Sequence, residues 1–141
     1  MEESLYNQGY DLVYRDQPSI EEAALASAKS IYRFRRLRNQ RFGCSKIFED
    51  PAWDMILAIF IDQMVGRATS ISSACYSSHV APTTALRWIN RLIKEGFLYR
   101  EDDPFDARRS FLRLTEATRE RMIALLADCV EKGRVEVVAD C

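Results

Sequence analysis

The sequence is short of several things, and each shortage closes off a class of function. Among its 141 residues there is one histidine, His79. Catalytic or metal arrangements that need two imidazoles are therefore excluded. The four cysteines, Cys44, Cys75, Cys129 and Cys141, show no Cys-x-x-Cys spacing. Zinc-ribbon and dithiol motifs are absent, and reduced, mostly structural thiols are expected. Long apolar runs are missing too. The most hydrophobic stretch, Ala52 to Val65, is interrupted by Asp54, Asp62 and Gln63 and is too short to span a bilayer. Met1-Glu2-Glu3-Ser4 is acidic where a signal peptide is basic, and no apolar segment follows. A soluble, cytoplasmic protein without a membrane partner is the expectation. There is no Gly-rich phosphate loop, and the acids at 101–103 have no nucleophile or base beside them. The expectation is no enzyme and no cofactor.

What is present is enough for one domain, which buries roughly two-thirds of its unfolded surface. With 29% charged residues, five Gly and four Pro, the chain is neither fibrous nor disordered in composition. Twenty Lys and Arg against 21 Asp and Glu give a net charge of −1. That balance argues against a polyanion partner only if the signs are mixed, and they are segregated. Residues 1–18 form an acidic arm with Tyr6, Tyr10 and Tyr14, able to dock on a partner subunit. From Lys29 to Lys46 there are seven basic residues (Lys29, Arg33, Arg35, Arg36, Arg38, Arg41, Lys46) and no acid. From Gln63 to Lys94 there are four (Arg67, Arg87, Arg91, Lys94), again with no acid.

Ser19-Ile20-Glu21-Glu22 is a capping box, and the helix it starts can run about 23 residues, roughly 34 Å, before Gly43. Asp50-Pro51 opens a second helix, with Asp50 as cap and Pro51 at the first helical position. Trp53, Ile56, Leu57, Phe60, Ile61 and Met64 mark its buried face, and Gly66 closes it. Thr69 or Ser70 caps a short helix carrying Ile71, Ala74 and Cys75 on one side, which ends near His79. The segment Pro82 to Glu95 then separates cleanly by angle at about 100° per residue. Thr83, Thr84, Arg87, Asn90, Arg91 and Lys94 occupy one arc; Ala85, Leu86, Trp88, Ile89, Leu92 and Ile93 occupy the other. Gly96 ends this helix. Phe97 to Arg100 and Ser110 to Leu114 read as two strands joined by a turn-rich tip. Thr115 caps a last helix with Met122, Leu125, Leu126, Cys129 and Val130 in a stripe, and Gly133 ends or bends it.

This order is that of a winged helix-turn-helix: mainly α with a two-stranded β-hairpin wing. The helix from Pro82 suits a DNA major groove because its outward face carries hydrogen-bonding and cationic groups without acids. Arg108 and Arg109 at the hairpin tip suit the adjacent minor groove, whose negative potential attracts Arg. The run Val80-Ala81-Pro82-Thr83-Thr84-Ala85-Leu86-Arg87-Trp88-Ile89-Asn90-Arg91-Leu92 resembles the recognition segment of the MarR family of bacterial transcription regulators. Asp106-Ala107-Arg108-Arg109, followed by Leu112-Arg113-Leu114-Thr115, resembles that family's wing. Two positions depart from the pattern. Ala81 stands where the family often has a capping Ser, and Glu116-Ala117-Thr118 lacks a common glycine.

The resemblance implies a homodimeric, ligand-responsive regulator, most often a repressor. Residues 19–43 and 116–141 would be dimerisation helices, and 50–115 the DNA-binding domain. Thr83, Thr84, Arg87, Asn90, Arg91, Arg108 and Arg109 are the DNA-contact candidates, and Asp106 would orient the wing arginine. The partners are then double-stranded DNA, a second copy and a small-molecule effector, such as an aromatic acid. A rival reading is a winged-helix protein-interaction module without DNA binding. Several residues stay open between readings. The basic segment 29–46 can touch flanking phosphates, pair with a partner's acidic 1–22 or stay solvated. His79 is a DNA contact or a surface and packing residue. Trp53, Trp88, Phe60 and Tyr76 read as core, while Phe34 and Leu37 could line a ligand pocket with the last helix. Cys44 has Arg41 and Lys46 to lower its pKa and a helix C-terminus to raise it, so redox sensing is open.

Overall fold

A computed structural model describes residues 18–43 and 46–139, the side chains of 131–139 excepted. The acidic arm, Cys44 and Cys141 lie outside the described residues. The chain runs through α1 (Ile20–Arg41), a 3₁₀ turn (Lys46–Phe48), α2 (Pro51–Met64), β1 (Thr69–Ser70) and α3 (Ile71–Ser77). It continues through α4 (Pro82–Lys94), β2 (Leu98–Asp102), β3 (Ser110–Leu114) and α5 (Glu116–Ala139).

The caps act as their residue types require. The Glu22 N–H donates to Ser19 Oγ at 3.1 Å, and the Ser19 N–H donates back to Glu22 Oε2 at 3.0 Å. Asp50 Oδ1 accepts the Trp53 N–H at 3.3 Å, with Pro51 filling the position whose own N–H would be unpaired. Around α2 the core assembles. Met55, Leu57, Ile59 and Phe60 meet Ile89 of α4, Leu98 of β2, Leu112 and Leu114 of β3, and Leu126 of α5. α1 contributes only Ala24 and Ala28 to the fully buried set, because it lies across the domain against α2 and α5.

The wing holds a strand more than its hairpin. Thr69 pairs with Leu112 and Ser70 with Phe111, so β3 is the middle of an antiparallel sheet in the order β1-β3-β2. Two residues are too few to show alternation, and Ser70 has a second use that masks the strand: its Oγ accepts the Ser73 N–H at 3.1 Å and caps α3. Gly133 neither ends nor visibly interrupts α5, which continues to Ala139. A helical glycine costs about 1 kcal/mol against alanine but keeps both backbone hydrogen-bonding groups, so a well-supported helix passes through it. Positive φ at Gly66 (78°) and Gly96 (82°) turns the chain after α2 and α4.

Candidate nucleic-acid interface

α4 starts without a side-chain cap, since Ala81 offers no oxygen, and Pro82 sets its first turn. Ala85, Ile89 and Leu92 are buried, and Trp88 and Ile93 pack partly against the same core. Thr83, Thr84, Arg87, Asn90, Arg91 and Lys94 are all exposed, as the angular pattern requires. Leu86, expected on the packed side, is instead 41% exposed. It lies at the edge of the packed arc and borders a groove with Ile71, Cys75, Tyr76 and Val80 between α3 and α4. Among the described residues no acid forms an ion pair with Arg87, Arg91 or Lys94. Arg91 does lie over the Trp88 ring, 5.7 Å from its centroid, which limits the rotamers it samples. Thr84, Arg87, Trp88 and Arg91 line one shallow cleft.

The wing tip is built from two aspartates that accept backbone N–H groups. Asp103 Oδ1 accepts from Phe105 at 2.8 Å, and Asp106 Oδ1 accepts from Arg108 at 3.0 Å. Arg108 Nε lies 3.5 Å from Asp106 Oδ1, yet its side chain is 94% exposed. Asp106 therefore shapes the backbone under Arg108 and pairs loosely with its guanidinium, which stays open to solvent. Arg109 differs: its guanidinium lies over Phe111, 5.3 Å from the ring centroid. The two tip arginines, equal in sequence, are unequal in freedom.

Three of the five arginines of α1, Arg35, Arg36 and Arg38, are used inside the chain. Asp54, 2% exposed, accepts Arg35 Nε at 2.5 Å and Arg36 Nη2 at 2.8 Å. Arg38 donates to the Phe48 carbonyl at 2.8 Å and lies over the Phe48 ring. This internal pairing was not among the uses expected of segment 29–46. Its signal was present: an aspartate amid the apolar face of α2 is costly unless a cation meets it. Similarly, Arg67, counted within the acid-free stretch, pairs with Asp62 just before that stretch at 3.7 Å.

His79 closes the turn between α3 and α4 with a left-handed φ of 57°. Its Nε2 lies 3.3 Å from Tyr32 Oη of α1, and burial holds its imidazole below the usual range, helped by Arg36. It joins α1 to the helix-turn-helix rather than standing clear of both. Tyr76, read as core, is 82% exposed; it projects from α3 beside the His79 ring. Phe34 and Leu37 are also exposed. Three cavities border α1 among the described residues: one is lined by Arg36, Asn39, Gln40, Glu49, Asp54 and His79, one lies against α2, and one lies between α1 and Cys129 and Val130 of α5. Among the described residues no group of His, Cys, Asp and Glu is arranged to hold a metal ion, and no helix is long and apolar enough to cross a membrane.

This arrangement is a winged-helix fold, and solved structures share it. The MepR–DNA complex of S. aureus matches with a TM-score of 0.54 at 14% identity, covering 74% of this chain and 80% of that one. A MepR mutant from a multidrug-resistant S. aureus clinical isolate matches at 0.53 and 11% identity, covering 94% of this chain and 83% of that one. No family model matches the sequence, and no curated protein does. At such identities the likeness establishes the fold alone, the winged helix that the MepR structures share.

Proposed function

We propose that the chain is a sequence-specific DNA-binding transcription regulator of MarR type, acting as a homodimer on a pseudo-palindromic operator, with repression as its mode. The carrying observation is the exposed face of α4, polar and cationic with no acid paired to it. In this reading α4 enters the major groove. Arg87, Asn90 and Arg91 reach base edges or phosphates, while Thr83 and Thr84 meet phosphate at the helix N-terminus. Arg108 turns into the minor groove, with Arg109 nearer the backbone. Residues 50–115 form the DNA-binding domain, and 19–43 with 116–141 the dimerisation layer. Phe34 and Leu37 on α1 and Leu125 on α5 support that layer, being 67%, 49% and 49% exposed. A dimer would set its two α4 helices about one helical turn, roughly 34 Å, apart.

An effector site is supported by the cavity beside Arg36, about 290 Å³ in volume, where Arg36 Nε is buried without a hydrogen-bond partner. A small aromatic acid there would compete with Asp54 for Arg36 and alter how α1 meets α2.

Selection of duplexes from a randomised library by the purified protein tests the reading, followed by a salt titration. Arg87, Arg91, Arg108 and Arg109 of two copies give at most eight phosphate contacts, hence a log–log slope no steeper than about −7. Replacing Arg108 and Arg109 with alanine together is expected to bring that slope toward about −4. Binding indifferent to salt and to the double substitution would overturn the reading, and a protein that selects no duplex is better explained as an interaction module.

A further inference from the structure

Phe105 stands at the tip of the wing with 98% of its surface exposed. Single exposed apolar side chains are ordinary on protein surfaces, but two observations set this one apart. Its backbone is held in place from both sides. The Phe105 N–H is bound by Asp103, the Arg108 N–H by Asp106, and the Asp103 N–H donates to the Arg109 carbonyl at 2.9 Å. The ring is thus presented by a braced loop, one that gains nothing for folding from the ring itself. The second observation is charge. Between Arg100 and Arg113 the wing has four arginines and four acids, Glu101, Asp102, Asp103 and Asp106. Those acids are engaged within the wing, Glu101 with Arg113, Asp102 with Ser110, and Asp103 and Asp106 with the tip backbone. A wing without net charge is poorly drawn to a polyanion by Coulomb attraction. A group that gains by leaving water can therefore add to the contact that Arg108 makes.

We propose that Phe105 is an apolar wedge that the wing sets into the minor groove beside Arg108, partly unstacking a base step and bending the duplex. This deepens the DNA-binding reading and rests on it. Apolar side chains inserted at minor-groove steps kink DNA in this manner, and the alternation of ring and guanidinium suits a groove with apolar walls and a negative floor.

The test uses a duplex selected from the randomised library by the wild-type protein, titrated at several salt concentrations and probed for bending with circularly permuted fragments. For Phe105→Ala the expected result is binding weaker by about tenfold and a smaller bend. The salt slope should stay that of the wild type, because a phenyl ring releases no counterions. The thermal midpoint should not move, since the ring touches nothing in the fold. Phe105→Trp should restore the bend. If Phe105→Ala binds and bends its duplex as the wild type does, the wedge is refuted while the DNA reading stands. If the wild type selects no duplex, both fall.

Discussion

In α1, Arg35, Arg36 and Arg38 turn inward to Asp54 and Phe48; in α4, Arg87 and Arg91 stand one turn apart and face out. Along the chain, α4 and the part of α1 from Lys29 onward are both basic and acid-free. What separates them is the fold, which brings a buried carboxylate within hydrogen-bonding reach of one group and none of the other. An arginine-rich stretch is therefore a site or a tie according to its three-dimensional neighbours. Arginine suits both roles, since its planar fork can clasp a carboxylate or a phosphate with equal geometry.

The sharpest way to break this contrast is to remove the carboxylate. Asp54→Ala leaves Arg36 partly buried without a counter-ion and Arg35 with only the longer pair to Asp50 at 3.9 Å. It is expected to cost about 3–5 kcal/mol of stability, measured by urea denaturation. An unmoved midpoint would mean that the tie is idle. Arg87→Ala probes the other side: affinity for a selected duplex should fall by about 1–3 kcal/mol with stability changed by less than about 0.5 kcal/mol. A large loss of stability there would show that Arg87 belongs with the ties.

The smallest effect concerns His79, which touches both regions. Burial, then Arg36, lowers its pKa, against the opposing pull of Asp54; Tyr32 and Tyr76 complete its surroundings. With the folded value depressed, the unfolded chain takes the proton first. The contribution to stability is present above the unfolded value of about 6.5 and is lost as pH falls through the folded one. Denaturation midpoints of His79→Gln should accordingly fall less than the wild type's on acidification below that value, and parallel curves would exclude the coupling.

Much of this was legible in the residues. Ser19 with Glu22, Asp50 with Pro51, and the two-sided pattern of Pro82 to Glu95 are local signals, and each element formed where its signal lay. The misses were non-local. Nothing adjacent to Asp54 says that Arg35 and Arg36 cross to it, nor does Thr69-Ser70 reveal a strand partner more than forty residues away. Leu86 and Tyr76 failed for a related reason: periodicity ranks the faces of a helix but does not state how wide a face its neighbours cover. At the wing the Asp-x-Arg pattern was visible, while the difference between Arg108 and Arg109 depends on where the Phe111 ring lies.

The short strand β1 has a mechanical consequence. Thr69 and Ser70 are stitched to the middle of the wing, Ser70 also holds the first turn of α3, and Thr69 Oγ1 donates to Asp62 Oδ2 at 2.9 Å. One dipeptide thus rivets the middle of β3 to the helices beside it. The span from α4 to the tip of the wing is in this sense a fixed caliper, set once per chain. In the proposed dimer, adjustment of reach between the two copies would fall to α1, which the Asp54 clasp ties to α2.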